Sequence, residues 1–166
     1  MLEIIKYPSS ELKKISEAVS VFDSHLHSFL DELAQTMYGA NGVGLAAPQV
    51  GKLIRAFVID VAPQEDKKRR LYEFINPKIV SGEGKISFEE GCLSIPGFSE
   101  EVERKAKIAL EYQDRFGNRQ EMTAENLLAV AIQHENDHLD GILFIDRLSP
   151  LKRTLMRRKL SKAVTF

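Results

Sequence analysis

The chain has no tryptophan, a single cysteine and only four histidines among its 166 residues. One cysteine cannot form a disulfide within the chain, so the fold has to be stabilised by an apolar core. No run of about 18 apolar residues occurs, which argues against a membrane-spanning helix. The N-terminus also lacks the basic start and apolar stretch of a secretion signal. We therefore expect a cytoplasmic protein.

An excess of one charge sign is also missing. The 23 lysines and arginines nearly balance the 24 aspartates and glutamates, for a net charge of −1. Nucleic-acid binding usually needs a basic footprint, so we expect no sequence-specific nucleic-acid partner. The length fits a single domain over residues 1–166, and we expect a monomer.

Two of the four histidines are concentrated in the segment His134-Glu135-Asn136-Asp137-His138. Residues four apart share one face of an α-helix, so both imidazoles can reach one metal ion. Glu135 lies about a third of a turn from His134, where it can reach a metal-bound water without being a ligand. This spacing is typical of hydrolytic metal sites. The alternative is a helix that merely carries two histidines and an acid.

A catalytic metal usually has three protein ligands and one open position. In a metzincin the third histidine would stand at position 144, which is Phe144 here. No histidine or glutamate follows His138, and Asp140 and Asp146 lie too close to the helix end to fold back easily. The third ligand should therefore lie upstream.

Cys92 is the upstream candidate. A lone cysteine is more often a small buried hydrophobic residue. The adjacent Glu89 and Glu90 disfavour a nucleophilic thiolate, because negative charge raises a thiol pKa. A divalent metal reverses that effect, since coordination deprotonates the thiol. Cys92 with the two histidines therefore makes a plausible set of three ligands.

A loop of small residues extends from Gly42 to Gly51 and precedes an apolar run. It lacks the Lys-Ser/Thr of a phosphate-binding loop, and no helix is predicted after it, as a dinucleotide fingerprint would require. It could be a tight connection into a strand. It could also bring the backbone close to a ligand, with the Gln49 amide donating to an oxyanion.

Hydrophobic periodicity predicts a helix from Asp23 to Gly39, a helix capped by Thr123 that carries the histidine pair, and a C-terminal helix that starts at Ser149-Pro150. The predicted strands are 54–60, 71–75, 78–80, 85–88, 102–104, 107–112 and 119–122. A charged surface loop is expected at 63–70. Many short strands with few helices indicate an α+β fold with sheets around a central helix.

Three segments together resemble the peptide deformylase family. Its pattern is a Gly-x-Gly-Leu-Ala-Ala-x-Gln loop, a Glu-Gly-Cys-Leu-Ser loop and a Gln-His-Glu-x-x-His-Leu-Asp-Gly helix. These stand here as 42–49, 90–94 and 133–141, and Arg104 also fits. The resemblance implies an α+β fold. Antiparallel and mixed β-sheets would wrap around a central metal-binding helix, with an N-terminal and a C-terminal helix.

The resemblance implies an enzyme that removes the formyl group from N-formylmethionyl nascent peptides and releases formate. It implies that Cys92, His134 and His138 bind the metal. Glu135 would act as general base and then acid. The Gln49 side chain and the Leu93 backbone N–H would donate to the oxyanion. The implied peptide contacts and methionine pocket are Val43, Gly44, Phe88, Gly91, Leu127 and Val130.

The metal and the partners remain open at this point. The ligand set would suit zinc, whereas the resemblance implies Fe2+, replaceable by Zn2+, Ni2+ or Co2+. Residues 147–166 carry seven lysines and arginines and no acid. This stretch is either a solvated basic helix with a partial stripe of Leu151, Leu155 and Leu160, or a docking helix for the ribosome, as the resemblance favours. A metallopeptidase that cuts internal bonds and a catalytically inactive relative are the alternative functions.

Overall fold

Seven strands and three α-helices follow one another in a computed structural model that describes residues 1–62 and 69–164. The predicted loop at 63–70 lies outside the described residues except for its last two positions, and so do residues 165 and 166 of the basic stretch. The α-helices are α1 (Ser24–Gly39), α2 (Asn126–Leu139) and α3 (Pro150–Val164). The strands are β1 (Gly44–Ala46), β2 (Ala56–Ile59), β3 (Tyr72–Glu83), β4 (Ile86–Cys92), β5 (Ile95–Arg104), β6 (Lys107–Gln113) and β7 (Arg119–Glu125).

The strands form two sheets. Five strands pair in the order β1-β2-β3-β6-β7, and β4 pairs with β5 in a two-stranded hairpin. All of these pairings are antiparallel, and a single parallel bridge joins Glu17 to Ile54. Consequently β1 and β4 are both edge strands, each with one side not paired to a neighbouring strand.

Helix α2 lies at the centre and packs against strands β1, β2, β6 and β7. Its apolar side chains Ala129, Ile132 and Leu139 are fully buried, together with Phe57 and Phe74 of the large sheet. Burying one such large side chain contributes about 1.5–3 kcal/mol. The predicted α+β arrangement around a central helix is confirmed.

Several element boundaries differ from the prediction. Thr123 does not cap α2, because it pairs with Ala109 inside the β6–β7 ladder and the helix begins only at Asn126. The predicted strands 71–75 and 78–80 are one strand, β3, whose pairing with β6 shifts register between Ile75 and Lys78. Asn76 lies at that irregularity with φ 51°.

Of the predicted stripe of Leu151, Leu155 and Leu160 on helix α3, only Leu160 faces the core. Met156 and Leu160, one helical turn apart, are buried in an apolar cluster with Leu148. Leu151 and Leu155 are 71% and 47% exposed. Within the described residues, no helix is both long and apolar enough to cross a membrane.

Candidate metal centre

The end of strand β4 meets helix α2 at a group of three side chains that offer sulfur or nitrogen as metal ligands. The Cys92 Sγ and one ring nitrogen each of His134 and His138 all lie within 4.8 Å of one another. The Cys92 Sγ is 3.4 Å from His138 Nε2. The helix stacks the two imidazoles one turn apart, with ring centroids separated by 5.1 Å. The three predicted ligands are therefore brought together.

A carboxylate orients the first imidazole. Glu90 Oε1 lies 2.8 Å from His134 Nδ1, which leaves Nε2 of that ring as the nitrogen available to the centre. Both side chains are buried. A carboxylate behind a ligating histidine fixes its tautomer and raises its basicity, as is common in metal sites.

Glu90 is in turn held by Arg104 of strand β5. The guanidinium donates to both Glu90 oxygens at 2.9 Å, and its third nitrogen donates to Asp137 Oδ2 at 2.7 Å. Arg147 also donates to Asp137, at 2.8 and 3.1 Å. Burial raises the pKa of Glu90, but the hydrogen bonds from Arg104 and His134 outweigh burial and hold this pKa below its usual value. Glu90 is therefore an ionised acceptor at neutral pH.

Glu135 lies next to the ligands on the same helix and is 4% exposed. Its Oε1 is buried and has no hydrogen-bond partner among the described residues. Burial is the largest cause that raises the pKa of Glu135 to about 7, although the nearby His134 lowers it. A carboxyl group with such a pKa can accept and return a proton near neutral pH.

The β1 backbone reaches this carboxyl group at Gly44. A Cβ atom at that position would lie 2.6 Å from Glu135 Oε2 and 3.0 Å from Glu135 Cδ. Only glycine leaves room for Glu135 here. The first glycine of the same loop, Gly42, is equally close to Leu93, with 2.6 Å from the missing Cβ to Leu93 Cδ1.

The two imidazoles have opposite pKa shifts. Burial lowers the pKa of His134, but the charge of Glu135 and hydrogen bonds with Cys92 and Glu90 raise it well above its usual value. Burial and the charge of His134 hold the pKa of His138 well below its usual value.

The donor atoms of the centre fit a divalent metal with one thiolate and two nitrogen ligands. They are a thiol and two imidazoles, and beside them lies a buried carboxyl oxygen that has no hydrogen-bond partner among the described residues.

The side chain of Gln49 lies next to the Cys92 thiol. Its Nε2 donates to Ser94 Oγ at 3.0 Å and lies 3.5 Å from Cys92 Sγ. Its Oε1 accepts from the Ala46 backbone N–H at 2.9 Å, which fixes the amide orientation. Gln49 therefore presents a donor, not an acceptor, to the centre.

The centre opens into a cleft of about 480 Å³. Of the twelve predicted site residues, eleven line this cleft, and the twelfth, His138, lies beneath it as a candidate ligand. The predicted residues in the lining are Val43, Gly44, Gln49, Phe88, Gly91, Cys92, Leu93, Leu127, Val130, His134 and Glu135. The other two histidines, His25 and His27, lie on α1, outside the cleft lining and the ligand group.

Sequence reasoning missed two parts of the site. The segment from Ile95 to Phe98, which follows the cysteine motif, also lines the cleft. The role of Glu90 behind His134 was also missed. Glu90 is the first residue of the cysteine motif, but its partner His134 is 44 residues away in the sequence.

Comparisons with known proteins show the family of the chain. The family model described as Polypeptide deformylase matches residues 1–154. The peptide deformylase of Wolinella succinogenes is 54% identical over 164 residues, which cover 98% of this chain and 96% of the relative. That of Helicobacter pylori strain J99 is 51% identical over 165 residues, with 98% and 94% covered.

Solved structures agree as well. A peptide deformylase from Legionella pneumophila superposes with a TM-score of 0.88 at 46% identity, over 98% of this chain and 94% of that one. The deformylase of Synechococcus elongatus in complex with actinonin gives 0.90 at 40% identity, over 96% and 88%. A match to the family model over most of the sequence, together with relatives about half identical, shows the family. The chain belongs to the peptide deformylase family.

Proposed function

We propose that Cys92, His134 and His138 hold the divalent metal with which this deformylase removes the formyl group from N-formylmethionyl peptides, with release of formate. The observation that carries the assignment is the group of three ligand atoms within 4.8 Å of one another, beside a buried carboxyl group. That carboxyl group, Glu135, has the raised pKa that a general base needs. Family membership supports the reaction.

The chemistry divides between the metal and the protein. When bound, a divalent ion polarises the formyl carbonyl and makes water a stronger nucleophile at neutral pH. Glu135 accepts the proton of the attacking water and later gives a proton to the departing amine. Its burial supports this cycle, because both protonation states are accessible when the pKa is about 7.

The oxygen of the formyl group gains negative charge during attack and needs donors already in place. The Gln49 amide is held by Ala46 and Ser94 on either side, so its nitrogen is directed at the centre. We assign the Leu93 backbone N–H as a second donor, on the loop that carries Cys92. Removal of one such donor typically costs on the order of 10²–10³ in rate.

The methionine side chain would occupy the apolar end of the cleft. Val43 and Phe88 are half exposed there, at 48% and 40%. Leu127 and Val130 of α2 line the same cleft. Partly exposed apolar side chains around a cleft are favourable contacts for an unbranched thioether chain.

The peptide backbone would bind as an added strand. Strands β1 and β4 are both edges, and Gly44 of the first and Gly91 of the second both line the cleft. An edge strand offers unpaired N–H and C=O groups to an extended peptide. Glycine at these points leaves room for the backbone to approach.

We propose Fe2+ as the physiological ion, with Zn2+, Ni2+ or Co2+ as substitutes. Thiolate and imidazole ligands accept all of these ions, so availability in the cell would decide which is bound. The iron form should lose activity in peroxide as Cys92 is oxidised. Metal analysis after anaerobic purification would identify the ion.

The decisive experiment compares formate release from formyl-Met-Ala-Ser, acetyl-Met-Ala-Ser and an internal-bond reporter peptide by anaerobically purified protein. We expect release from the formyl peptide alone. Equal cleavage of all three would support the metallopeptidase alternative, and no cleavage of any would support the inactive relative. The Synechococcus elongatus structure contains actinonin. We therefore also expect actinonin to raise the melting temperature of the metal-loaded protein.

The basic helix α3 suggests where the enzyme works. Its exposed face carries Arg158 and Lys159 beside the exposed Leu155, and we propose that this face contacts the ribosome, in the cytoplasm, as a monomer. Deletion of the helix would also remove the buried Met156 and Leu160, so charge substitution is the sharper test. The double variant Arg158→Gln with Lys159→Gln should weaken co-sedimentation with ribosomes, whereas the control Lys78→Gln on β3 should not. Equal co-sedimentation of the wild-type protein, the double variant and the control would contradict this role.

A further inference from the structure

We propose that Tyr38 and Asp60 are positioning residues that hold the peptide-binding edge of strand β1 in place from outside the cleft. The inference deepens the proposed function and rests on it, because it concerns the peptide bound along Gly44. Neither side chain is a candidate ligand or lines the cleft. They would act on the substrate only through the backbone of the loop 41–43.

The loop 41–43, which leads into β1, has a cavity next to it besides the cleft. Asn41, Gly42 and Val43 line the cleft and also line a second, smaller cavity of about 180 Å³. The side chain of Val43 is 48% exposed. A segment with few packed neighbours opens easily unless hydrogen bonds hold it. The position of the β1 edge therefore depends on the bonds made by this loop.

Asp60 ties the loop to the strand next to β1. It follows β2 directly, and its backbone N–H donates to the Val43 carbonyl oxygen at 2.8 Å. In an antiparallel ladder the polar groups of successive residues point alternately to the two sides of a strand. Those of Gly44 therefore point away from β2, to the unpaired edge. The bond at Val43 lies directly beside the groups that a bound peptide would use.

The side chain of Asp60 is fixed by two donors. It is 5% exposed, and the Tyr38 hydroxyl donates to its Oδ2 at 2.7 Å. The backbone N–H of Ala62 donates to the other oxygen at 3.0 Å. The Tyr38 ring is itself covered by Arg69, whose Cζ lies 4.2 Å from the ring centroid. A short chain of contacts thus leads from helix α1 through Asp60 to the β1 edge.

The Tyr38 hydroxyl keeps its proton at the pH where the enzyme works. Burial, together with the hydrogen bond to Asp60 and its charge, raises the pKa of Tyr38 to about 12. The hydroxyl therefore donates throughout the neutral range. Its contribution to peptide binding should be constant between about pH 6 and pH 9.

Tyr38→Phe removes the hydroxyl and keeps the ring beneath Arg69. When the edge is correctly placed in only a fraction of the molecules, the apparent affinity for peptide falls by that fraction. We expect KM for formyl-Met-Ala-Ser to rise about five- to tenfold, with kcat within about twofold of wild type, because Glu135 and the candidate ligands are unchanged. Asp60→Ala should raise KM at least as much, and the double variant should add little to it.

Substrate length separates positioning from a general loss of stability. Formylmethionine alone has no downstream backbone to pair with the edge, so Tyr38→Phe should change its kcat/KM less than about twofold. A variant that is only less folded would lose the same factor on both substrates. Tyr112→Phe is the matched control, because Tyr112 is also half-buried but lies on β6, outside the cleft lining. Wild-type KM in Tyr38→Phe and Asp60→Ala, or an equal loss on both substrates, would overturn the proposal.

Hydrogen exchange separates this inference from the proposed function, because it needs no catalysis. The backbone amides of 42–46 should exchange about five- to tenfold faster in Tyr38→Phe than in the wild-type protein. Faster exchange and weaker binding of the unformylated peptide Met-Ala-Ser, without formate release from any peptide, would support the positioning role and refute the activity. Formate release with unchanged exchange and unchanged KM would refute the positioning role alone. Absence of formate release together with unchanged exchange would refute both.

Discussion

At the scale of single residues, the centre depends on how closely Gly44 approaches Glu135. The β1 backbone at Gly44 lies directly against this buried carboxyl group. This confinement removes water from Glu135, which is the main cause of its raised pKa. Gly44 thus belongs to the surroundings that bury Glu135, the base that we propose.

Glu135→Gln tests the assigned base. The amide has nearly the same shape but cannot accept a proton, so we expect kcat to fall on the order of 10²–10⁴. Metal content, measured by atomic emission, should stay at the wild-type level because none of the three candidate ligands changes. Wild-type turnover in this variant would rule out Glu135 as the base.

Gly44→Ala tests the close approach. The added methyl group would displace the Glu135 carboxyl group, and a displacement of about 1 Å can cost on the order of 10² in rate. Gly39→Ala is a matched control, because its Cβ would also meet an atom at 2.6 Å, the sulfur of Met1. Met1 is 86% exposed and can move aside. Steady-state kinetics should show a defect in Gly44→Ala only, and equal rates would contradict this account.

The candidate ligands were predictable from the sequence for a chemical reason. Cysteine and histidine are rare here, and a spacing of four residues on a helix leaves few structural choices. Glu90 was not predictable in this way. Its contact with His134 joins two elements that are far apart in sequence, and its acidity suggested only an unfavourable neighbour for the thiol.

At the scale of elements, one buried ionic network joins β4, β5 and α2. Arg104 of β5 contacts Glu90 of β4 and Asp137 of α2, and all three side chains are at most 9% exposed. Buried charges are tolerated only when their partners are present. The network therefore fixes the hairpin against the helix that carries the histidines.

Arg104→Met tests the network. The substitution leaves Glu90 and Asp137 without their buried cation, and we expect a loss of about 3–5 kcal/mol in the free energy of unfolding. Arg115→Met is the control, because Arg115 also contacts two carboxylates, Glu73 and Asp31, but is 24% exposed. There the loss should be about 1 kcal/mol or less. Urea denaturation of both variants measures the difference, and similar losses would show that burial does not set the cost.

Element boundaries were less predictable than element types. Thr123 has the right chemistry for a helix cap, yet it is held in the β7 ladder by its pairing with β6. In α3 the sequence offers several apolar side chains, and only contact with the cluster around Leu148 decides that Met156 and Leu160 are buried. Both outcomes depend on neighbours that local periodicity does not describe.

At the scale of the whole molecule, the candidate metal centre lies where the parts of the fold meet. The apolar cluster that contains Met156 and Leu160 of α3 is also packed against Cys92. The histidines belong to the central helix, which packs on the five-stranded sheet. A bound ion would therefore connect the hairpin to the central helix and stabilise both together.

Removal of the metal tests this coupling. An ion at about 100 times its dissociation constant stabilises the folded state by about 2.7 kcal/mol, so a chelator should lower the melting temperature by roughly 5–10 °C. Calorimetry with and without chelator measures the shift. Cys92→Ala should already melt lower, and the chelator should change it much less. An unchanged melting temperature in the wild-type chain would exclude a stabilising ion.

The overall architecture followed from the sequence because strands and helices differ in hydrophobic period and because three motifs matched one family. The sequence alone did not predict that the edge strands of the two sheets, β1 and β4, would line the same cleft. The order β1-β2-β3-β6-β7 separates the hairpin β4–β5 from its chain neighbours β3 and β6. That arrangement depends on contacts across the whole fold.

The unpaired sides of the edge strands β1 and β4 also have a consequence for when a substrate protein can lose its formyl group. In the binding mode proposed above, a chain end enters the cleft as a single extended strand beside β1 and β4. An N-terminus already paired within its own sheet has no free edge left to offer. We expect a formylated β-hairpin closed by a disulfide to release formate far more slowly than its reduced form. In this binding mode, deformylation is restricted to the interval before the N-terminus of the substrate protein folds.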